Sequence, residues 1–398
     1  MINFIQYLKE DANEEKLTHL EHPEHHHINA GALGFEHAHN TLQQTHHALI
    51  GNHPGEHFKV GEKMEGSPSI VAGHHPETGK FFVGTKGVFN KEPKLNYSHQ
   101  DIEKNHGHAP GLVHKLKAAL THLPKVLPKQ GVYQGDVMHS GVPGKSNPHG
   151  DVITDTHSHH FTPNTITYSH KKNTPEGEKI KKSKVGVSFH TAYHGHNLEH
   201  MKAEYNADTS HFGEHPDVHL MSNKFHAHDT NYTPEAQKTF VHHLNKAAAA
   251  HEKQKGDYSH QEGHQEHMKT YTNSLVGKGE DASTEGYKQH IHNKLSKEID
   301  KVKTPKAKEQ KTLNRDSMVK HVGEHANKFK HSFDTYNHLE KAKDVLAHTM
   351  GNAKYNYGHS INGKESKPEG HVVSVNNRPT KIVNKAEFTA ANKAKHSQ

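Results

Sequence analysis

Apolar side chains are scarce in this chain, and their scarcity limits the kind of core that it can build. Only 30% of the 398 residues are hydrophobic, which is below the usual content of globular proteins. We therefore expect small cores and well-solvated helices, in two ordinary domains or in one domain with a large insertion. No apolar run is long enough to span a bilayer, so we expect no membrane segment.

The composition also excludes several kinds of site. The chain has no cysteine, which excludes disulfides, a cysteine nucleophile and thiolate metal sites. Its formal net charge is +6, with 50 Lys and Arg against 44 Asp and Glu, and this mildly favours anionic partners. Free histidine titrates at about pH 6.5, so mild acid would add many positive charges to the 49 histidines. The sequence gives no physical reason for their number.

The pattern of apolar residues changes along the chain. Residues 1–50 are typical of short helices, residues 51–200 of short strands, residues 201–355 mostly of helices, and residues 356–398 of strands again. We predict an α+β protein with an antiparallel β core, a long helical insertion, and final strands that rejoin the core.

Several local signals support this division. A turn over residues 75–79 between two β runs predicts a hairpin, and residues 112–123 predict an amphipathic helix. Thr233 followed by Pro234 is typical of a helix start. The last long helix is predicted over residues 315–350.

Two lysines lie at the ends of neighbouring predicted strands. Lys63 begins the sequence Lys-Met-Glu-Gly-Ser-Pro, which contains Glu65 and Gly66, and Lys86 lies in the sequence Thr-Lys-Gly after the next strand. These sequences resemble the first motifs of the covalent nucleotidyltransferases, the superfamily of ATP-dependent RNA and DNA ligases and mRNA capping enzymes. The resemblance implies that Lys63 is the nucleophile that bonds to AMP. It also implies that Glu65, Gly66 and Lys86 help to bind the nucleotide.

Later motifs of that superfamily occur in the same order. Asp136 ends the sequence Gly-Val-Tyr-Gln-Gly-Asp, which is similar to the third motif, although the family usually has Glu there. Glu369 begins Glu-Gly-His-Val, similar to the fourth motif, and Lys381 lies in Thr-Lys-Ile-Val, similar to the fifth. The resemblance implies that Asp136 and Glu369 hold Mg²⁺ and that Lys381 meets the α-phosphate. It also implies that Phe189 stacks on the base.

The chemistry explains why these residue types occur together. A lysine is a poor nucleophile at its free pKa of about 10.4, so burial or neighbouring cations must favour its uncharged form. Lys86 and Lys381 are suitable cations, and they would also neutralise phosphate charge. Carboxylates suit Mg²⁺, a hard cation that prefers oxygen ligands. We therefore expect an enzyme that takes AMP from ATP and passes it to a nucleic acid end for joining.

Departures from the family pattern leave an alternative open. The stretch between Asp136 and Glu369 is much longer than usual, and the acid of the third motif is shortened. Both favour a phage virion or internal head protein with a ligase-like fold and no turnover. The chain ends soon after the fifth motif, without room for an OB-fold domain, and this points to the RNA ligase side of the superfamily. The acceptor, which is RNA, DNA or protein, and the oligomeric state stay open.

The first ten residues carry a second resemblance. They are similar to the capsid-targeting peptides of internal head proteins in large tailed phages, with Leu8-Lys9-Glu10 as the cleavage site. An amphipathic first helix is the alternative interpretation. The N-terminal half also resembles uncharacterised proteins of phages that infect marine cyanobacteria. The start lacks the basic residues of a secretion signal, so we expect the host cytoplasm or the virion interior rather than secretion.

The histidines suggest a third hypothesis, a His-rich metal-binding protein. The inverted zincin pattern His-x-x-Glu-His occurs four times, beginning at His53, His196, His211 and His321. This pattern needs a helix to bring its ligands to one zinc ion. Only the copy at His321 falls in a predicted helix, and no third ligand is marked. We expect adventitious Zn²⁺ or Ni²⁺ binding by surface imidazoles rather than a metalloprotease.

Overall fold

The computed structural model describes residues 20–55, 57–141 and 152–385. Within these ranges the chain has an α+β architecture with mainly antiparallel sheets, as the sequence pattern predicts. The helices, in chain order, are α1 (Pro23–Leu49), α2 (His99–His106), α3 (Pro110–His122), α4 (Pro175–Lys182), α5 (Pro234–Glu252), α6 (Gln265–Leu275), α7 (Thr284–Asp300), α8 (Pro305–Glu324) and α9 (Ala326–Gly351). The strands are β1 (Phe58–Glu62), β2 (Ser69–His74), β3 (Phe81–Gly84), β4 (Val132–Ser140), β5 (Ile153–Thr154), β6 (Ser158–Phe161), β7 (Thr167–Lys171), β8 (Val185–His194), β9 (Lys202–Tyr205), β10 (Val218–Leu220), β11 (Gly358–Ile361), β12 (Lys364–Glu365), β13 (His371–Val375) and β14 (Arg378–Ile382).

The largest sheet has the strand order β10-β8-β4-β2-β3, with β9 paired to β8. Its pairs are antiparallel except for β8 with β10, and β2 and β3 form the predicted hairpin. The predicted amphipathic helix, α3, covers one face. Leu116 and Ala119 of α3 are fully buried in one cluster with Ile70 and Val137 of the sheet. Because side chains alternate along a strand, the intervening residues face the opposite side of the sheet.

The last strands rejoin the β core at two places. In a three-stranded sheet of order β1-β13-β14, residues 58–62 pair with residues 371–375 in antiparallel register. In a sheet of order β12-β11-β7-β6-β5, the late strand β11 pairs with β7. These pairings set residues that follow α9 beside residues that precede β2.

The helical part of the chain shares a core with the three-stranded sheet. Phe240 of α5 and Leu346 of α9 belong to one buried cluster with Phe35 of α1 and Val373 of β13. As predicted, α5 begins after Thr233, whose side chain accepts a hydrogen bond from the N–H of Ala236. The boundary drawn at residue 201 is wrong, because β9 and β10 both follow it and both pair with β8. The helices of the predicted insertion start at α5 and pack onto the three-stranded sheet.

The helix predicted over residues 315–350 is two helices. α8 ends at Glu324 and α9 begins at Ala326, because the backbone of His325 leaves the helical region (φ −111°, ψ 26°). The His-x-x-Glu-His copy at His321 is thus broken at its last residue, and His321 Nε2 lies 3.1 Å from the carbonyl oxygen of His260. The described residues contain no group of three His, Asp or Glu side chains placed to hold a metal ion.

Two further expectations concern membranes and the first ten residues. No helix in the described ranges combines the length and the apolar character that crossing a membrane would require. Residues 1–10, where the capsid-targeting peptide is predicted, lie outside the described residues, and so does Glu56 of the His53 pattern.

Candidate functional site

A cavity of about 380 Å³ lies on the face of the largest sheet opposite α3. Its volume falls within the range of roughly 300–1,000 Å³ that is typical of small-molecule sites. Lys63, Lys86 and Asp136, which come from separate motifs, all line it. The complete lining is Leu20, Glu62, Lys63, Met64, Ser69, Thr85, Lys86, Gln134, Asp136, Ser188, His190, Thr191, Tyr205, Asn206, Asn223 and Val372.

Lys63 directly follows β1 and is held through both its backbone and its side chain. Its N–H donates to the carbonyl oxygen of Gly370 at 2.8 Å, and its Nζ donates to Glu369 Oε2 at 2.5 Å. The register of β1 with β13 sets Glu62 opposite His371, so the residues that flank this pair meet as well. Pairing of two strands that are distant in the sequence therefore brings Lys63 to Glu369.

Burial controls the charges around this ion pair. Burial raises the pKa of Glu369, and the ammonium of Lys63 opposes that rise. Burial also lowers the pKa of Lys381 on β14, and the charge of Lys63 lowers it further. Lys63 and Glu369 thus form a partly buried ion pair beside the cavity, with the side chain of Glu369 the more buried of the two.

Asp136 lies at the centre of the sheet, where its Cα pairs with Ser69 of β2 and Ser188 of β8. Its carboxylate accepts no hydrogen bond from any residue in the described ranges, and His190 Nε2 is 3.8 Å from Oδ2. Lys86 begins a short 3₁₀ turn directly after β3 and is exposed. It forms no ion pair with a described residue. An acid and a cation that have no strong protein partner thus remain available to a ligand.

Glu65, predicted to bind the nucleotide, instead holds a loop. Its Oε2 accepts hydrogen bonds from the N–H of Thr165 at 2.9 Å and of Ile166 at 2.6 Å. Its Oε1 accepts a hydrogen bond from the side-chain amide of Asn164 at 3.0 Å. The side chain is buried and is not part of the cavity lining. Glu65 therefore stabilises the segment that leads into β7.

Phe189, predicted to stack on a base, lies on the face of the sheet opposite this cavity. Its ring packs in the core against Tyr133 and Phe212, with ring centroids 6.3 and 5.5 Å apart. The neighbours Ser188 and His190 line the cavity instead. Asp136 pairs with Ser188, and both line the cavity. Because side chains alternate along a strand, the next residue, Phe189, faces the other side of the sheet. The sequence alone does not give the register of β4 with β8, so it could not indicate this orientation.

His190 is the titratable residue that the sequence interpretation missed. It lines the cavity beside Asp136 and close to Lys63. Burial lowers its pKa, Asp136 opposes the shift, and Lys63 adds to it. His190 therefore stays neutral near pH 7 and offers a polar, uncharged wall to the cavity.

Gly66 gives a direct test of how closely the loop after Lys63 packs on β4. A Cβ at Gly66 would lie 2.3 Å from Asp136 Cβ, so Gly66→Ala must displace the loop or the strand. We expect a loss of about 1–3 kcal/mol in the free energy of unfolding, measured by urea titration. The matched control is Gly323→Ala in α8, where an added Cβ meets nothing within 4 Å. That change should be neutral or stabilising, and equal stability of both variants would contradict the packing.

Comparison with known proteins places the chain in a protein family. The model of a family described as a family of unknown function (DUF6267) matches residues 13–396. No curated protein and no solved structure is significantly similar to the chain. All described residues, including the cavity and the strands around it, lie inside the matched range.

Proposed function

We propose that the chain, which belongs to the family of unknown function DUF6267, is an ATP-dependent covalent nucleotidyltransferase with a ligase-like β core. The observation that supports this is the convergence of distant motifs on one cavity. Lys63, Lys86 and Asp136 line it, and Glu369 pairs with Lys63. Lys381 interacts electrostatically with both members of that pair. Unrelated surface charges have no reason to meet in this way.

Lys63 is the nucleophile in this proposal. Its uncharged amine attacks the α-phosphorus of ATP, a P–N bond forms, the bond to the bridging oxygen breaks, and pyrophosphate leaves. Glu369 accepts the proton, because its Oε2 lies 2.5 Å from Lys63 Nζ and burial raises its pKa. Lys86 and Lys381 balance the negative charge of the phosphate oxygens.

Asp136 fits the requirements of a Mg²⁺ site, because it lines the cavity and accepts no hydrogen bond from a described residue. Glu369, which the resemblance also assigns to the metal, is not part of the lining, and its Oε2 contacts Lys63 Nζ instead. Mg²⁺ in nucleotide sites commonly binds one or two carboxylates together with phosphate oxygens. When bound, it supplies positive charge that stabilises those oxygens and favours an uncharged lysine nearby.

A nucleic acid end is the proposed acceptor, as the resemblance to RNA ligases implies. An oxygen of a 5′-phosphate attacks the phosphorus held by Lys63, the P–N bond breaks, and the lysine regains a proton. A 3′-hydroxyl then attacks the activated phosphate, which joins the ends and releases AMP. The same proposal includes a phage origin, and it places the protein in the host cytoplasm or in the virion interior. Both statements rest on the sequence resemblance.

The experiment that tests the proposal is self-labelling of the full chain. After incubation with Mg²⁺ and ATP labelled at the α-phosphate, the denatured protein should keep the label. A phosphoramidate should resist alkali and break in acid. ATP labelled at the γ-phosphate is the matched control and should leave nothing, because that phosphate departs with pyrophosphate. Absence of α-label with all four nucleotides, and with Mn²⁺ as well, would favour the non-catalytic virion protein.

A further inference from the structure

The helical hairpin formed by α7 and α8 has an end that no described part of the chain covers. Between Leu295 of α7 and Val322 of α8, no residue is buried. Leu313 within this stretch is 60% exposed. The distal part of the hairpin therefore projects into solvent, and its surface is available to a partner.

The exposed end carries lysines that have no carboxylate partner among the described residues. The other charged side chains nearby are paired locally: Lys311 with Glu298 at 3.5 Å, and Arg315 with Asp316 at 2.8 Å. Asp300 and Glu309 are the remaining acids of the stretch. The five lysines without an ion pair to any described residue are Lys297, Lys301, Lys303, Lys306 and Lys308.

The start of α8 adds to this positive potential. Thr304 precedes the helix without a side-chain hydrogen bond to its first turn, and Pro305 follows it. The N–H groups of the first turn therefore point from the helix start toward the exposed end. Lys306 and Lys308 lie in these first two turns, so the lysines and the helix dipole act at the same place.

We infer that the end of this hairpin, residues 297–308, binds the sugar–phosphate backbone of a nucleic acid. Closely spaced, unpaired ammonium groups match a row of phosphodiesters and gain from the release of counterions. No aromatic residue occurs between residues 296 and 317, so stacking on bases is unavailable and binding is independent of sequence. The choice of nucleic acid over other polyanions rests on the proposed function, whose acceptor is a nucleic acid end.

Fluorescence anisotropy with the full chain and a labelled single-stranded RNA of arbitrary sequence tests this inference. The triple variant Lys303→Glu, Lys306→Glu and Lys308→Glu should bind at least about tenfold more weakly at moderate salt. The slope of log K against log salt should fall by about 2, since each phosphate contact in a single strand contributes about 0.7. Circular dichroism should be unchanged, because all three side chains are exposed. The same measurement with a labelled single-stranded DNA of the same sequence shows whether the phosphodiesters that bind are those of RNA or of DNA.

The matched control changes an equally dense basic run on α4, with Lys179→Glu, Lys181→Glu and Lys182→Glu. Lys179 and Lys181 are already paired with Glu214 at 3.4 Å and with Glu178 at 3.9 Å. This variant should stay within about twofold of the wild type. An equal loss in both triple variants, or unchanged binding in the hairpin variant, would overturn the inference. So would binding to phosphatidylglycerol vesicles in preference to RNA.

These assays distinguish a failure of the hairpin inference from a failure of the proposed function. The hairpin variant should keep the covalent AMP label, since its changes lie outside the cavity, and Lys63→Ala should keep RNA binding. RNA binding that depends on the hairpin, in a protein that takes no label, would support the hairpin site and reject the proposed function. Label without hairpin-dependent RNA binding would support the function and reject the hairpin site.

Discussion

Lys63→Ala is expected to abolish the covalent AMP label, with a loss of roughly a thousandfold or more. The reason is chemical, because the lysine provides the atom that bonds to phosphorus and no neighbour can replace it. Lys86 and Lys381 stay on their own elements and can bind phosphate without being placed for attack. The fold should persist, because Glu369 has a pKa already raised by burial and can take up a proton when its partner is gone.

Two controls make the Lys63 experiment decisive. Lys63→Arg keeps a positive charge beside Glu369, so it should retain the fold and nucleotide binding while losing the label. Lys320→Ala changes an exposed lysine of α8 that is 76% accessible, and it should label like the wild type. The label is measured on denatured protein, and the modified peptide is identified by mass spectrometry. Label that survives Lys63→Ala would assign the bond to another lysine.

Acidification from pH 7 to about pH 4.5 is expected to unfold the protein, because many histidines are buried in the neutral form. Burial is the main cause of the lowered histidine pKa in each case. It lowers the pKa of His260 and His264 to about 4, that of His170 and His371 to about 3, and that of His37 to about 2. All five side chains are at most 8% exposed. Protonation would place a charge in an apolar environment, as for His371, which packs against Phe225.

The direction of the pH effect follows from these values. Unfolded histidine binds a proton below about pH 6.5, whereas the folded side chains stay neutral down to about pH 4 or lower. Between these limits the unfolded chain binds more protons, so the free energy of unfolding falls as the pH falls. Each histidine contributes up to about 1.4 kcal/mol per pH unit. Five of them can offset a total stability of about 5–15 kcal/mol within about two pH units.

Urea titrations at pH values from 8 to 4 measure this effect. The free energy of unfolding should be nearly level above pH 7 and should fall steeply below pH 6. His264→Gln, at the buried residue that contacts the Tyr287 hydroxyl, should make the slope shallower by about one proton. The control His196→Asn with His292→Asn changes exposed histidines and should leave the slope unchanged. A level curve between pH 6.5 and pH 5 would contradict the burial of neutral histidines.

Local elements of this fold could be predicted from the sequence because their causes are local. The β2–β3 hairpin follows from a turn between two β runs, and α3 follows from apolar residues at helical spacing. Thr233 and Pro234 mark the start of α5 through one hydrogen bond and one fixed backbone angle. Residues a few positions apart decide each of these features, so no knowledge of the remaining chain is needed.

The candidate site depended on tertiary structure to a different degree at each residue. The order of the motifs predicted Lys63, Lys86 and Asp136 as neighbours, and all three line the cavity. The contact of Lys63 with Glu369, however, exists because β1 pairs with β13 across most of the chain. The sequence interpretation chose Phe189 where His190 faces the cavity, since a shift of one residue in strand register turns every side chain to the other face.

The histidines separate most clearly what the sequence determined from what only the tertiary structure decided. Composition alone determined that 49 imidazoles are present and that their charge changes near neutral pH when they are exposed. Which of them are buried and neutral depends on packing between distant elements, such as His260 of the segment before α6 against Phe329 of α9. A histidine is the same residue in a core and on a surface. Only the surrounding side chains, brought together by the fold, set the energy of its charged form.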